Sequence, residues 1–289
     1  MHYKLVYENN RGERINLNEL PYWVNIEPIL DYAWSYTTKE KRRGDIIAGF
    51  GKKVNTLDLT MHIMASNVRD RDSAIDNFNN VIEADIYDGM AGKIWLNDWY
   101  TRGYIVSAKN EKWQYDVPVD KKTITLAREQ NNWYRETFRN SYDSEIFHPE
   151  IEDYIKSYDF EDGGYDYPYD YLTDFESFVD INNPSVFGSD FVLTIQGYAD
   201  RPEIHIGDTI IQFNEVVDEG CYLVVDSTAR TAILTAPDGN KVNFFSARNP
   251  EYYIFRRIDA GHNAVTWNGA FKWELKLFEE RSEPRWLMD

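Results

Sequence analysis

The sequence predicts a mainly β protein of two domains, and three observations support that prediction. Short apolar runs alternate with polar residues and end at Gly, Asn, Asp or Pro, as half-buried strands and turns do. Aromatic residues make up 16% of the chain, a composition suited to strand faces and protein interfaces. Only one segment has convincing helical periodicity, and 289 residues are enough for about two domains, each with its own core.

Residues 1–140 are predicted to form a domain of many strands and one helix. The helix spans about residues 73–87, with Asp72 available as N-cap and Gly89 beyond its end. The basic segment 39–44 is predicted to be a loop. Predicted strands cover residues 3–7, 15–17, 22–26, 46–50, 57–63, 92–96, 99–105, 113–119 and 123–126. The apolar stripe of the helix, which we expect to pack on the sheet, consists of Ile75, Phe78, Ile82 and Ile86.

Asn97 and Asp98 lie between two strand-like runs and predict a hairpin with a two-residue turn. Three aromatic residues crowd the tip of this hairpin: Trp95, Trp99 and Tyr100. Flat, amphipathic rings of this kind serve as anchors at protein interfaces. These three residues are therefore candidate interface residues.

Residues 141–182 are predicted to be an acidic, Tyr-rich connector between two domains. They contain 13 acidic residues and one basic residue, Lys156. Tyr167, Tyr169 and Tyr171 alternate with other residues as an extended strand pinned to a surface would. We expect these three rings to pack against protein, which makes them candidate interface residues. The alternative is a flexible acidic linker with incidental aromatics.

The net charge of −18 is unevenly distributed along the chain. Residues 1–140 have 20 basic and 20 acidic residues, the connector has a net charge of −12, and residues 183–289 have a net charge of −6. No segment has the basic excess that drives phosphate binding, so stable nucleic-acid binding is disfavoured. These charges are compatible with a passage through which DNA slides without sticking.

Residues 183–289 are predicted to form a β-sandwich, because turn signals recur at sandwich spacing. Asn268-Gly269 predicts the clearest hairpin in the chain, since Asn-Gly tolerates the positive φ angles of a type I′ turn. The strands of that hairpin would be residues 264–267 and 270–275. Other predicted strands cover residues 191–195, 204–206, 210–213, 223–226 and 232–235.

The sequence contains no candidate catalytic, cofactor-binding or metal-binding residues. The five histidines lie far apart, and the single cysteine, Cys221, cannot complete a zinc-type spacing. Residues 159–163 are acidic without the spacing of a calcium loop, and no phosphate loop or nucleophile elbow is present. We therefore expect no enzyme activity. Without a secretory signal or a long apolar run, we expect synthesis in a cytoplasm and no membrane insertion.

Several pieces of the chain occur in an order and spacing that resemble one protein family. In the first half these are residues 7–17, Gly49-Phe50, and residues 91–96 leading to Tyr100 and Tyr104. In the second half they are residues 261–263 and 279–286, together with the connector's Tyr-Pro-Tyr-Asp-Tyr. Over nearly its whole length, the chain resembles the distal tail (Dit) proteins of long-tailed, siphovirus-type bacteriophages. Three residues of the ending are further candidate interface residues: Arg281, Arg285 and Trp286.

The resemblance implies a tail-tube-like β domain at residues 1–140 and a galectin-like β-sandwich at residues 183–289. It implies a structural protein at the tip of the virion tail, where six copies close a ring and the sandwich projects outward. The implied partners are the tail tube protein and the tail-tip hub, receptor-binding or baseplate proteins. DNA would pass through the ring without specific binding.

Two other functions stay open on the residues alone. A carbohydrate-binding tail module would use exposed Trp and Tyr, and a tail-associated cell-wall hydrolase would use two of the 49 carboxylates. Aromatics on sheet faces are more often core or protein interface, and paired carboxylates carry little weight in so acidic a chain. The structural ring protein ranks first, the carbohydrate-binding module second and the hydrolase third.

Overall fold

A computed structural model describes residues 3–112, 114–129, 131–141 and 177–285. The chain divides into two compact units: Met1–Arg135 with Glu280–Asp289, and Glu136–Glu279. The domain bounds predicted from the sequence, residues 1–140 and 183–289, stay predictions; the described residues 280–285 group with the first compact unit. The architecture is mainly β, as predicted, with one long helix in the first unit.

The first unit is built on antiparallel strands. They are β1 (Leu5–Glu8), β2 (Arg14–Asn16), β3 (Tyr22–Val24), β4 (Ser35–Lys41), β5 (Gly44–Gly51), β6 (Asn55–Met64), β7 (Gly92–Leu96), β8 (Trp99–Lys112), β9 (Val119–Arg128) and the start of β10 (Trp133–Asn140), whose residues from Glu136 onward belong to the second unit. Its helices are α1 (Glu27–Leu30) and α2 (Val68–Asp88). The main sheet runs in the order β2-β1-β7-β8-β9-β6-β3, and the start of β10 pairs with β8. Among the described strands, β4 and β5 pair only with each other.

Helix α2 packs on one face of this sheet, as its apolar periodicity predicts. Phe78 and Ile82 are buried against sheet residues such as Leu59 and Ile124, and each such side chain contributes about 1.5–3 kcal/mol through burial. Ile86, assigned to the same stripe from the sequence, is half exposed. The buried position in the last turn belongs instead to Asp85, which is fully buried and bonded to Tyr7 of β1.

The predicted N-cap of α2 is wrong. The helix begins one turn before Asp72, where the Asn67 side chain accepts a hydrogen bond from the Asp70 backbone N–H at 2.9 Å. Arg71 is buried in this first turn and donates to the Gln114 and Val117 carbonyls. That tertiary contact supports a turn whose sequence carries little helical signal of its own. The predicted end is confirmed: Gly89 has a φ of 65°, the left-handed conformation that favours glycine at this position.

Two other local predictions in the first unit are wrong. Residues 113–119 were predicted as a strand, but β8 runs to Lys112 and the described residues 114–118 form a turn. Residues 39–44 were predicted as a loop, but they are the end of the β4–β5 hairpin. Arg42 and Arg43 form its two-residue turn, and flanking strand residues pair from Lys41 and Gly44 outward.

The second unit is a sandwich of two antiparallel sheets. Its strands are β11 (Ser177–Asn183), β12 (Phe191–Gln196), β13 (Glu203–Ile206), β14 (Thr209–Gln212), β15 (Tyr222–Asp226), β16 (Thr231–Thr235), β17 (Lys241–Asn243), β18 (Gly261–Trp267) and β19 (Lys272–Arg281). One sheet runs in the order β17-β16-β15-β12-β19, and the other in the order β11-β18-β13-β14. Alternate residues of both sheets face a shared apolar core, which contains Leu193, Ile204, Val265 and Trp273.

The hairpin predicted at Asn268-Gly269 is wrong. Strand β18 pairs with β11 and β13, while β19 pairs with β12, so the two strands belong to opposite sheets. Trp267 and Trp273 meet edge to face between the sheets at 5.2 Å, and the Trp267 indole N–H donates to the Phe271 carbonyl. The Asn-Gly signal marks a turn correctly. The burial of both tryptophans in one core decides that this turn crosses between sheets.

Candidate assembly interface

The β4–β5 hairpin is the most exposed apolar element of the described first unit. Apart from Ser35 and Gly49, its strand residues are exposed on both faces. Phe50 is 67% exposed, Tyr36 63% and Ile47 53%. A two-stranded hairpin is marginal in water, and large exposed apolar side chains in one place mark interaction surfaces. The hairpin is therefore the leading candidate for contact with another protein.

The strand register divides the hairpin into two faces of opposite charge. Strand β4 alternates regularly, and each β5 residue shares the face of its partner. We call one side the acidic face; it consists of Tyr36, Thr38 and Glu40 with their partners Phe50, Ile47 and Asp45. We call the other side the basic face; it consists of Thr37, Lys39 and Lys41 with their partners Gly49, Ile46 and Gly44.

A register shift between Thr37 and Thr38 shapes these faces. Ala48 has no partner in β4, so it is the extra residue of a β-bulge. Without the bulge, Ile47 and Phe50 would face opposite sides, because they are three residues apart. With it, both lie on the acidic face beside Tyr36, and Ile46 alone is apolar on the basic face.

Arg128 anchors both ends of the hairpin segment to the body of the first unit. This buried guanidinium donates to the carbonyls of Ile29 and Asp31, before β4, and to the Asn55 side chain, after β5. Burial lowers the pKa of Arg128 to about 10, with the charge of Asp31 acting in the opposite direction. Three acceptors around one buried cation fix where the hairpin leaves the domain.

Lys52 forms a second anchor at the base of the hairpin. Its ammonium donates to the Asn131 carbonyl at 2.9 Å, to the Asn132 side chain and to Ser282 Oγ at 2.8 Å. It also lies 4.6 Å from the centre of the Trp34 ring. Burial lowers the pKa of Lys52, while the charge of Glu280 opposes that shift. The hairpin is thus exposed along its length and held firmly at its base.

The aromatic residues predicted to form an interface at the β7–β8 hairpin are packed within the first unit. Trp99 is 3% exposed and lies in the core beneath α2, and Tyr100 is fully buried on the other sheet face. Trp95 is half-buried, 4.7 Å from the Tyr100 ring, which in turn lies 5.7 Å from Tyr134. Lys93 Nζ lies 4.5 Å from the Tyr100 centroid. Of the three predicted residues, only Trp95 has a partly accessible ring.

A buried hydrogen bond joins β1 to the end of helix α2. The Tyr7 hydroxyl donates to Asp85, whose other carboxylate oxygen accepts from the Asn10 backbone N–H. Burial, together with this hydrogen bond and the charge of Asp85, raises the pKa of Tyr7. A Cβ at Gly92 would lie 2.3 Å from the Asp85 carboxylate and 2.7 Å from the Tyr7 hydroxyl. The glycine of the 91–96 segment is therefore required by the close approach of these two side chains.

The remaining predicted interface residues fall in different parts of the chain. Arg281 is half-buried and Arg285 is exposed, and both belong with the first unit. Tyr167, Tyr169, Tyr171 and Trp286 lie outside the described residues, as does the acidic segment 159–163. Sequence reasoning predicted a strand at residues 46–50, within β5, but missed β4 and the pairing of the two strands. The signal for β4 was the strand-forming run Ser-Tyr-Thr-Thr at residues 35–38, which the neighbouring positive charges obscured.

The described residues contain no group of three or more His, Cys, Asp or Glu that could hold a metal ion. Within the same ranges, no helix has the length and apolar character needed to cross a bilayer. In the second unit, Trp267 and Trp273 are buried, so neither offers a ring to a sugar. Among the described residues of that unit, the histidines are His205 and His262, and each pairs with one carboxylate on the sheet surface.

No protein-family model matches the chain, and no curated protein matches it by sequence. Solved structures do match it over nearly its whole length. A chain from the activated phage P2 baseplate with Ca has a TM-score of 0.63 at 14% identity, and covers 98% of this chain and 100% of its own. The Dit protein of phage SPP1 has a TM-score of 0.59 at 9% identity, and the match covers 97% of this chain and 100% of the SPP1 chain. A chain from the phage P2 baseplate with Sr has a TM-score of 0.61 at 14% identity, with 98% and 100% covered.

These likenesses concern the fold, because the identities are low. They extend through both compact units, so they are not explained by one common β-sandwich. The structural neighbours of this chain are phage baseplate and Dit hub proteins, whose fold it shares.

Proposed function

We propose that this protein is a structural distal tail protein that forms a ring at the tip of a siphovirus-type phage tail. The ring joins the tail tube to the hub and to the receptor-binding or baseplate proteins. The observation that carries the proposal is the fold likeness to baseplate and Dit hub chains over 97–98% of this chain and 100% of theirs. A shared module embedded in an unrelated protein would not match both chains from end to end.

The first unit has the properties that a ring-forming domain needs. Residues 1–140, most of which belong to this unit, carry 20 basic and 20 acidic residues, so equal copies can crowd together without strong repulsion. The β4–β5 hairpin offers exposed apolar side chains on a firmly anchored base. We propose that six copies close the ring through this unit, with heterologous contacts between neighbours.

The same charge balance suits a channel for DNA. A duplex moves past a wall easily only when the wall makes few phosphate contacts, since each such contact releases counterions and strengthens binding. On the sheet face that carries Tyr100, basic residues alternate with an acidic one: Lys93 and Arg102 lie beside Tyr100, and Glu8 accepts from the Trp95 indole and pairs with Arg14. We propose that DNA passes without specific binding.

The second unit serves as the galectin-like domain through which the ring supports other tail-tip proteins. Its sandwich core is complete without a ligand, and residues 183–289 have a net charge of −6, which disfavours contact with nucleic acid. We propose an architectural role without enzyme activity. Release of reducing sugars or peptides from bacterial cell walls by the pure protein, lost on substitution of one carboxylate, would overturn that part of the proposal.

The test is the size and symmetry of particles formed by the full chain. The purified protein is examined by negative-stain microscopy over a concentration series, because ring contacts between equal subunits can be too weak to persist in dilute solution. We expect rings with six-fold symmetry and a central opening. In virions, gold-labelled antibodies against the chain are expected at the tail tip. Label on the head or along the tail tube, with no rings at any concentration, would refute the assignment.

A further inference from the structure

The two faces of the β4–β5 hairpin are complementary to each other. On the acidic face, Glu40 and Asp45 lie directly opposite one another. On the basic face, Lys39 and Lys41 follow each other on the same strand side. Each face also carries an apolar part, which is Ile46 on the basic face and the Tyr36, Ile47 and Phe50 cluster on the acidic face. The acidic face of one copy is therefore complementary to the basic face of a second copy.

The opposed carboxylates indicate a missing cation. Like charges directly opposite each other in an antiparallel pair are destabilising. Within the described residues, neither Glu40 nor Asp45 forms an ion pair, and the same holds for Lys39 and Lys41. Besides Arg42 and Arg43 of the turn, the two faces thus carry four charges at the end of the hairpin that form no ion pair within the described residues.

We propose that the acidic face of one copy's hairpin packs on the basic face of the hairpin of the next copy. The Glu40 and Asp45 carboxylates then meet Lys39 and Lys41, and Ile46 covers the apolar cluster. Packed sheet faces lie about 10 Å apart, a distance that apolar side chains from both faces fill. At about 3.3 Å per residue the strands of the hairpin are about 23–26 Å long, so the contact buries a continuous stripe.

The contact is directional, and this property fits a ring. An acidic face meeting an acidic face, or a basic face meeting a basic face, would juxtapose like charges, which disfavours a two-fold dimer through the hairpin. A contact between unlike faces is heterologous, so it repeats from copy to copy until the rotation closes. The inference rests on the proposed ring and names the surface through which its subunits recognise each other.

The experiment uses two charge-reversed variants of the full chain. Lys39→Glu with Lys41→Glu makes both faces acidic, and Glu40→Lys with Asp45→Lys makes both faces basic. Each variant alone is expected to need about tenfold or more higher concentration for half-assembly than the wild type, because like charges now face each other. A one-to-one mixture restores unlike faces at every contact and is expected to assemble as the wild type does. Sedimentation velocity and negative-stain microscopy measure assembly.

The mixture also constrains ring size. Alternating variants close only in rings with an even number of copies, so six-fold rings of the wild type become three-fold rings of pairs. Mass spectrometry of the intact mixed ring is expected to find equal numbers of the two variants. A random distribution of variants, or assembly of either variant alone at the wild-type concentration, would overturn the inference.

Matched controls carry the same charge changes elsewhere. Lys109→Glu with Lys241→Glu matches the first variant, and Glu215→Lys with Glu219→Lys matches the second; all four residues are exposed. These controls are expected to assemble as the wild type does, and loss of assembly in them would attribute the effect to net charge and overturn the inference. If a reversed variant is misfolded by circular dichroism, Lys39→Gln with Lys41→Gln replaces it, and unchanged assembly by that variant would also count against the proposal.

The outcomes separate this inference from the proposed function. Rings formed by the wild type and by both single variants leave the ring proposal standing and refute the hairpin contact. Single variants that fail, with a mixture that also fails, refute pairing of unlike faces. Absence of rings for the wild type and the mixture at every concentration refutes both.

Discussion

Two hairpins of the first unit have similar aromatic content but differ in how far their aromatic rings are exposed to solvent. The β7–β8 hairpin carries Trp95, Trp99 and Tyr100, and two of these rings are buried within the unit. The β4–β5 hairpin has Tyr36 and Phe50, both more than 60% exposed. The difference is what lies on each sheet face: helix α2 and neighbouring side chains cover the first hairpin, and nothing in the described first unit covers the second. Aromatic residues mark an interface only where the fold leaves them without a covering layer.

Of the substitutions considered, Trp99→Ala is expected to lower the free energy of unfolding most. Removing a buried tryptophan deletes its apolar contacts and leaves a cavity, which costs about 3–5 kcal/mol of unfolding free energy. Urea unfolding of the full chain, followed by fluorescence and circular dichroism, measures this loss. A cost under about 1 kcal/mol would show that the β7–β8 hairpin is not part of the core.

Arg128→Met is expected to loosen the base of the β4–β5 hairpin and to leave the β7–β8 hairpin less affected. The substitution leaves the buried carbonyl of Ile29 and the part-buried carbonyl of Asp31 without their donor, at a cost of about 2–3 kcal/mol for the pair. We expect faster amide hydrogen exchange in β4 and β5 than in β7 and β8, measured by mass spectrometry. An equal increase in amide exchange in both hairpins would mean that Arg128 stabilises the whole unit and does not specifically anchor the β4–β5 hairpin.

Tyr7→Phe tests the buried Tyr7–Asp85 hydrogen bond, whose contribution to stability is expected to depend on pH. Because the pKa of Tyr7 is raised above its ordinary 10.0, the folded state keeps the phenolic proton where the unfolded chain loses it. The stabilisation is therefore fully present below about pH 10 and declines as the pH rises beyond that value. At pH 7 the substitution is expected to cost about 1–3 kcal/mol, since Asp85 loses a buried donor.

Urea unfolding of wild type and Tyr7→Phe at neutral pH and at about pH 10.5 checks this prediction. The stability difference between the two proteins is expected to shrink at the higher pH. A difference that stays constant, or grows, would contradict the assignment of Tyr7 as a buried donor. Thr60→Val, at a half-buried strand position outside this contact, serves as a control whose cost is expected not to change with pH.

Phe50→Ser is expected to have the smallest effect on stability and a large effect on assembly. An exposed side chain contributes within about 0.5 kcal/mol to the unfolding of the single chain. Its loss removes part of the apolar cluster on the acidic face, so the concentration for half-assembly is expected to rise. Phe138→Ser provides a comparison at an exposed phenylalanine outside the hairpin. A cost above about 2 kcal/mol in the unassembled chain would show that Phe50 is covered within its own subunit.

The sequence alone determined the local elements whose signals are carried by neighbouring residues. The alternation through residues 57–63 and the Asn97-Asp98 turn are observed as predicted, because side-chain period and turn chemistry act within a few residues. The glycine end of helix α2 is correct for the same reason. The resemblance to Dit proteins also agrees with the fold, since it rested on short motifs in a set order.

Only the tertiary structure decided which faces are covered and which strands are partners. The turn at Asn268-Gly269 is compatible with a hairpin, yet the burial of Trp267 and Trp273 in one core sends its strands to opposite sheets. The segment 39–44 carries charges typical of a loop, yet pairing between Ser35–Lys41 and Gly44–Gly51 makes it the end of the exposed β4–β5 hairpin. Trp99 and Phe50 differ little as residues, and only the layers packed above them separate core from candidate interface. Burial depends on residues far apart in sequence, so a local pattern does not contain it.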